Sequence, residues 1–259
     1  MTAWQPAAGW PPRGTLLLLP GRGEHPGIYA RFGTRLAADG YLVRALDVGP
    51  WAEPAAVAKA AHEAAGAFPA RPVVLAGSDT GALQALHAVA GFRAEGLLLA
   101  GLAPTRDPGP PASREVPDAP EVAEDFEAEL AARTACPVHR RLLSEDARFA
   151  RGALAEPVPP ALRAPPPAAV PPVLLLHGDA DPITPLAAAR DLAARLPGAE
   201  LAVLHGGLHD VLNDAAHRTV ASAIVQWLER LRGGPGLAPL LTVHTTPSSP
   251  SPLPSPAAG

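Results

Sequence analysis

Short runs of apolar residues alternate along this chain with segments of helical periodicity. Two such runs are TLLLLP at residues 15–20 and VLLLHG at residues 173–178. An uninterrupted apolar run is typical of a strand that is buried on both faces, and an intervening helix is what connects parallel strands. The pattern therefore predicts an α/β protein with a mostly parallel sheet and helices on both faces.

The remaining elements follow from the same alternation. Hydrophobic residues make up 47% of the 259 residues, enough to bury a sizeable core. Further strands are predicted at residues 41–48, 72–78, 95–101 and 199–206. Helices are predicted at residues 28–40, around 53–68, after 78, and at 185–196 and 217–231. Asp210 and Asp214 are expected to cap the last of these helices.

Two segments interrupt the alternation. Residues 104–172 are rich in proline and contain one clear helical pattern, in which Phe126 and Leu130 belong to an apolar stripe. We expect this insertion to form a cap over the end of the sheet, and a long irregular loop is the alternative. Residues 1–232 are thus predicted to form one domain, and the proline- and serine-rich tail at 233–259 is expected to be disordered.

Charge and composition narrow the class of function. The formal net charge of −4 gives no support to nucleic-acid binding. A single cysteine, Cys136, excludes an internal disulfide and a thiolate metal cluster. The sequence shows neither a signal peptide nor an apolar run of the ~20 residues that a membrane span needs. We expect a cytoplasmic protein with no integral membrane segment and no metal or organic cofactor; the oligomeric state is left open.

Four predicted strand ends carry residues suited to chemistry. Ligands bind at the carboxyl ends of the strands in an open parallel sheet. In chain order, these ends hold a glycine turn at 21–25, the corner GSDTG at 77–81, Asp181 and His209. The order nucleophile, acid, histidine is that of the α/β-hydrolase fold.

Longer stretches carry a family resemblance. LLLLPGRGEHPGIY, LAADGYLVRALD and LLLHGDADPITPLAAARDLAARLPGAELAVLHGGLHDVLND resemble the lysophospholipase and monoacylglycerol lipase branch of the α/β-hydrolases, over roughly residues 14–231 without the cap. The resemblance implies a hydrolase of a small or lipid-like substrate, with Asp181 as triad acid and His209 as triad base. It assigns the oxyanion hole to the backbone N–H groups of Arg22 and Thr80. The antiparallel strands that often open this fold are expected to be missing.

The corner GSDTG departs from this family at its nucleophile. The elbow pattern is Gly-x-nucleophile-x-Gly, because both glycines let strand and helix approach closely around a strained residue. Gly77 and Gly81 are the pair with that spacing, and the residue between them is Asp79, with Ser78 one position earlier. The predicted triad is therefore Asp79–His209–Asp181.

An aspartate at the elbow changes the expected chemistry. A carboxylate that attacks an ester gives an anhydride, a poor route, whereas displacement at a saturated carbon gives an alkyl ester that His209 can hydrolyse with water. In its aspartate, the elbow resembles those of haloalkane dehalogenases and epoxide hydrolases. It lacks the tryptophan or arginine that usually follows, because Thr80 stands there, and the cap has no tyrosine to serve an epoxide.

Other interpretations stay open at this stage. Asp79 could act as a general base beside His209, or the fold could bind a ligand without turnover. Arg22 is either a holder of an anionic substrate or an exposed residue without a role. A dinucleotide-binding protein is the rival class, because the glycine turn reads G-x-G-x-x-x-G and Asp47 ends the next strand. Its third glycine is one place late, and His25 crowds the phosphate approach.

Overall fold

A seven-stranded sheet forms the centre of the molecule. The computed structural model describes residues 1–105 and 121–242. The strands are β1 Thr2–Trp4, β2 Thr15–Leu19, β3 Leu42–Ala45, β4 Val73–Asp79, β5 Gly96–Leu102, β6 Val173–Gly178 and β7 Glu200–Leu204. They lie in the order β1-β3-β2-β4-β5-β6-β7, and every neighbouring pair is parallel except β1 with β3. This mostly parallel sheet was predicted from the apolar runs.

Strand β1 corrects one expectation. It pairs antiparallel with β3 at the sheet edge, so the prediction that no antiparallel strand opens the fold was wrong. Three residues are too few to show a periodic pattern, and tertiary packing holds this strand instead. The Trp4 ring lies so close to Gly33 that a Cβ there would stand 2.2 Å from it.

Helices pack on both faces of the sheet. Within the described ranges they are α1 Ala30–Ala38, α2 Pro54–Ala65, α3 Thr80–Ala88, α4 Glu121–Arg133, α5 Pro137–Glu145, α6 Leu186–Arg195 and α7 His217–Arg232. α2, α3 and α6 contribute to the core on one face, and α1 and α7 contribute to the core on the other. The expected helix at residues 28–40 begins as a 3-10 helix, Pro26–Tyr29, before α1.

The expectation that Asp210 and Asp214 cap the N-terminus of α7 was also wrong. The residue before α7 is Ala216, and no side chain caps the helix there. Asp210 instead contacts Arg133, and Asp214 accepts hydrogen bonds from the hydroxyl of Thr134 and from two backbone N–H groups. Both carboxylates are used to hold loops together across the molecule.

The apolar runs are continuous because both faces of the sheet are buried. In β2, Leu17 and Leu19 belong to the core beneath α2 and α3, while Leu16 and Leu18 belong to the core beneath α1 and α7. All four are fully buried. Each such side chain contributes about 1.5–3 kcal/mol of burial free energy, which stabilises β2 between the two layers of helices.

The described part of the predicted cap contacts the carboxyl end of the sheet. The N–H of Ala150 donates to Gly23 after β2, and the N–H of His209 after β7 donates to Ala132. Residues 106–120 of the predicted cap and residues 243–259 of the predicted tail lie outside the described residues, so the domain division stays a prediction. In the described ranges, no helix combines the length and apolar character needed to cross a membrane.

Candidate active site

The turn from β4 into α3 has the geometry of a nucleophile elbow. Asp79 stands at its tip with φ 51° and ψ −121°, a conformation that an L-residue adopts only when its surroundings impose it. A Cβ on Gly77 would lie 2.0 Å from the carbonyl oxygen of Gly81, and a Cβ on Gly81 would lie 2.2 Å from that of Leu19. Only glycine fits at either position, which explains the spacing of the motif.

Ser78 is not at the tip. It is buried, and its side chain lies beside the phenol of Tyr29. The residue that the motif spacing selects, Asp79, is the one that meets His209.

Asp79, His209 and Asp181 form one hydrogen-bonded line. Nε2 of His209 lies 3.3 Å from Oδ1 of Asp79, and Nδ1 lies 2.9 Å from Oδ2 of Asp181. Oδ1 of Asp181 accepts from the N–H groups of Ile183 and Thr184, which fixes the carboxylate after β6. The structure thus brings together three residues that are far apart in sequence and that the strand-end argument selected.

Arg22 covers Asp79 almost completely. Its Nε donates to Oδ2 and its Nη2 to Oδ1 of Asp79, both at 2.8 Å, and its backbone N–H donates to Oδ2 at 2.8 Å. Its Nη1 donates to the carbonyl oxygens of Leu154 and Glu156 in the predicted cap. The side chain is 1% exposed, so the alternative of an exposed arginine without a role was wrong.

Both oxygens of Asp79 are saturated in this state. Within the described part of the chain, Oδ1 accepts from Arg22 and His209, and Oδ2 accepts twice from Arg22. Asp79 is also 1% exposed, so an electrophile reaches its oxygens only if the groups around it move.

The two predicted oxyanion donors are the backbone N–H groups of Arg22 and Thr80. The Arg22 N–H already points at Oδ2. Thr80 is the first residue of α3, where backbone N–H groups lack intrahelical acceptors. Its hydroxyl is buried and has no hydrogen-bond partner among residues 1–105 and 121–242.

The charges of this site are set by mutual pairing. Burial favours the neutral acid, but hydrogen bonds from His209 and Arg22 outweigh it and hold the pKa of Asp79 far below its usual value. Burial likewise opposes charge on His209, yet the carboxylates of Asp181 and Asp79 raise its pKa to about 10. At neutral pH the closed site therefore holds an imidazolium between two carboxylates.

A second buried cluster lies next to the site and was missed from sequence. Arg133 at the end of α4 donates to the carbonyl oxygen of Arg22 and to Glu129, and its Nη1 lies 3.4 Å from Asp210. Burial and the charge of Asp210 raise the pKa of Glu24, which also belongs to this cluster, to about 7. Arg133 follows Glu129 by four positions, a spacing typical of an ion pair on the exposed face of a helix. The local sequence therefore did not indicate that Arg133 is buried.

This cluster has ligand atoms that suit a metal ion, but it already contains a cation, the guanidinium of Arg133. The ligand atoms of Glu24, His139 and Asp210 lie within 4.8 Å of one another. The guanidinium of Arg133 lies 4.0 Å from Glu24 and 3.4 Å from Asp210, so it supplies the positive charge that a metal ion would bring.

The glycine turn is not arranged for a dinucleotide phosphate. The N–H of Gly21 donates to Glu24 and that of Arg22 to Asp79, so carboxylates of the protein occupy these amide donors. Asp47, which would hold a ribose, is exposed after β3. These contacts disfavour the dinucleotide-binding interpretation.

Comparison with known proteins agrees with the fold. Residues 151–233 match the family described as TAP-like protein, a match that contains Asp181 and His209 but not the elbow. A crystal structure of the monoacylglycerol lipase of Paleococcus ferrophilus is 22% identical, with a TM-score of 0.66, covering 89% of this chain and 98% of that one. No curated protein sequence matches the chain.

Two further solved structures are similar. A soluble variant of monoglyceride lipase from Saccharomyces cerevisiae is 18% identical, with a TM-score of 0.65, covering 88% of this chain and 90% of the other. A thermophilic esterase from Thermogutta terrifontis is 20% identical, with a TM-score of 0.57, covering 89% and 93%. With the strand order and the elbow, these likenesses show that the chain has the α/β-hydrolase fold.

Proposed function

We propose that this protein is a cytoplasmic hydrolase of a small or lipid-like molecule, working through Asp79, His209 and Asp181 without a metal or organic cofactor. One observation carries the proposal. Asp79 occupies the strained tip of the elbow, and the His209 imidazole bridges it to Asp181 with separations of 3.3 and 2.9 Å. This arrangement supports a carboxylate nucleophile with an oriented base behind it.

The chemistry that suits a carboxylate is displacement at a saturated carbon. Oδ1 of Asp79 forms a bond to the carbon while the bond to the leaving group breaks, and the leaving group departs with the electron pair. Water then adds to Cγ of Asp79, and His209 takes the water proton. The N–H groups of Arg22 and Thr80 stabilise the charge on Oδ2. The bond between Cγ and Oδ1 then breaks, His209 returns its proton to the departing Oδ1, and the alcohol leaves. Asp79 releases a proton and is a carboxylate again. The net reaction converts R–X and water into R–OH, X⁻ and a proton.

The charge on Asp79 couples the two steps. While Asp79 is a carboxylate, it helps to keep His209 protonated. Alkylation removes that negative charge, so the pKa of His209 falls and the imidazole can release its proton. His209 thus becomes a base at the step that needs one.

A second candidate function is ligand binding without turnover. It is favoured by the saturation of Asp79, since the Arg22 guanidinium holds both carboxylate oxygens. A permanent ion pair at this position would make the site structural, and the fold would serve only as a scaffold.

Trapping of a covalent intermediate tests the proposal. The variant His209→Gln is incubated with a panel of short alkyl halides, epoxides and chromogenic esters, and intact-protein and peptide mass spectra are recorded. We expect an alkyl adduct on Asp79 to accumulate, because the displacement needs only the carboxylate while its hydrolysis needs the base. Wild-type protein in water enriched in the heavy oxygen isotope should incorporate the label into Asp79 during turnover.

His205→Gln is the matched control. The His205 side chain is 89% exposed, and within the described residues it pairs only with Asp179. It should turn over the same substrates as the wild type and collect no adduct. Turnover with label in the product but none in Asp79 would make Asp79 a general base. No adduct and no turnover across the panel would favour the binding function.

A further inference from the structure

The side chain that closes the site also lines a cavity. Arg22 borders a cavity of about 280 Å³ together with Leu154, Val158, Arg163 and Ile183. Its Nη1 is held at this wall by the carbonyl oxygens of Leu154 and Glu156, at 2.9 and 2.7 Å. The guanidinium is therefore shared between the cavity and the elbow.

Opening of the site requires a new partner for this guanidinium. Asp79 cannot attack while Arg22 covers both of its oxygens. Withdrawing a buried guanidinium from its only carboxylate partner among the described residues, without replacing that partner, is strongly unfavourable. An entering neutral molecule offers no replacement, whereas an entering anion does.

Building on the proposed function, we propose that the substrate is a short organic carboxylate, and that Arg22 is the residue that selects it. The substrate carboxylate takes the place of Asp79 on the Nε and Nη2 edge of Arg22. That edge has the two-pronged geometry that matches a carboxylate, as its contacts with Asp79 demonstrate. Asp79 is then free to attack a saturated carbon of the same molecule that carries a leaving group.

The cavity suits the hydrocarbon part of such a ligand. Its lining carries side chains of both charges, Arg163 and Glu156. Leu154, Val158 and Ile183 provide an apolar wall for a short hydrocarbon chain.

Binding of propanoate, measured by calorimetry, tests the assignment independently of turnover. In Asp79→Asn, Arg22 loses its carboxylate, so we expect propanoate to bind this variant and raise its Tm, while the neutral isostere propanamide does neither. Wild-type protein should bind propanoate about tenfold or more weakly than the variant, because Asp79 competes for the same edge. The double variant Asp79→Asn/Arg22→Gln should not bind. Propanoate binding that survives in the double variant, or that is absent from Asp79→Asn, overturns the proposal.

A second comparison covers the case in which Asp79→Asn does not fold. Wild-type protein should bind propanoate measurably and Arg22→Gln should not, and equal binding by the two overturns the proposal.

Turnover separates this inference from the proposed function. If bromopropanoate binds through Arg22 but is never hydrolysed, the anion site stands and the hydrolase proposal fails. If bromopropanamide is hydrolysed while propanoate does not bind, the hydrolase stands and the anion selection fails.

Discussion

Two opposing effects set the protonation of His209. Burial disfavours the imidazolium, and the carboxylates of Asp181 and Asp79 favour it, with the carboxylates winning. His209 and Arg22 together keep Asp79 ionised, just as Asp181 and Asp79 together keep His209 protonated. The pKa of each residue in this site is therefore set by the charges around it.

The pH dependence of the free energy of unfolding reports the pairing of His209 with the carboxylates of Asp181 and Asp79. Since folding raises the pKa of His209 from 6.5 to about 10, its stabilising contribution is fully present below pH 6.5 and is lost as the pH rises through about 10. We expect the free energy of unfolding of the wild type, relative to His209→Gln, to fall across this window by at most about 1.4 kcal/mol per pH unit. Urea unfolding of both proteins at several pH values measures it. Parallel pH profiles for the two proteins would contradict the pairing.

At the scale of elements, the elbow depends on close contact between β4, α3 and β2. Gly77 and Gly81 bring strand and helix together, and Gly81 packs against the backbone of Leu19 in β2. The positive φ of Asp79 is thus imposed by packing from two sides. Residues other than glycine rarely adopt such dihedral angles, and a side chain held there by its surroundings indicates a role that outweighs the strain.

Replacing Gly81 should therefore be costly. Gly81→Ala places a Cβ 2.2 Å from the carbonyl oxygen of Leu19, and backbone cannot move aside as a side chain can. We expect a loss of about 1–3 kcal/mol or more in the free energy of unfolding. Gly236→Ala is the control, because a Cβ there meets no atom within 4 Å. Chemical denaturation compares the two, and equal stability of both variants would show that the elbow is looser than its contacts indicate.

At the scale of the whole molecule, buried charges join helix α4 to the sheet. Arg133 of α4 binds Glu129 on its own helix, the carbonyl oxygen of Arg22 after β2 and Asp210 after β7. Arg22 continues the connection from the carbonyl oxygen of Glu156 to Asp79. Helix α4 and the elbow are therefore linked through charges that have little access to water.

Removal of Arg133 should destabilise the protein as a whole. Arg133→Met keeps much of the side-chain volume but leaves the carboxylates of Glu129 and Asp210 without their guanidinium, at a cost of about 3–5 kcal/mol. Arg141→Met removes an exposed pair with Glu145 on α5 and should change stability by less than about 1 kcal/mol. Thermal and urea unfolding test both variants. A small effect for Arg133→Met would mean that water or a proton compensates the carboxylates that lose the guanidinium.

The sequence determined the architecture and the candidate residues of the site. Continuous apolar runs required strands buried on both faces, and the spacing of Gly77 and Gly81 selected Asp79, because both are local and depend on periods of a few residues. The pairing of Arg22 with Asp79, the burial of Arg133 and the short edge strand β1 were decided by tertiary structure alone. Each depends on contacts between segments that the chain separates widely, and an arginine has the same local pattern whether its partner is water or a buried carboxylate.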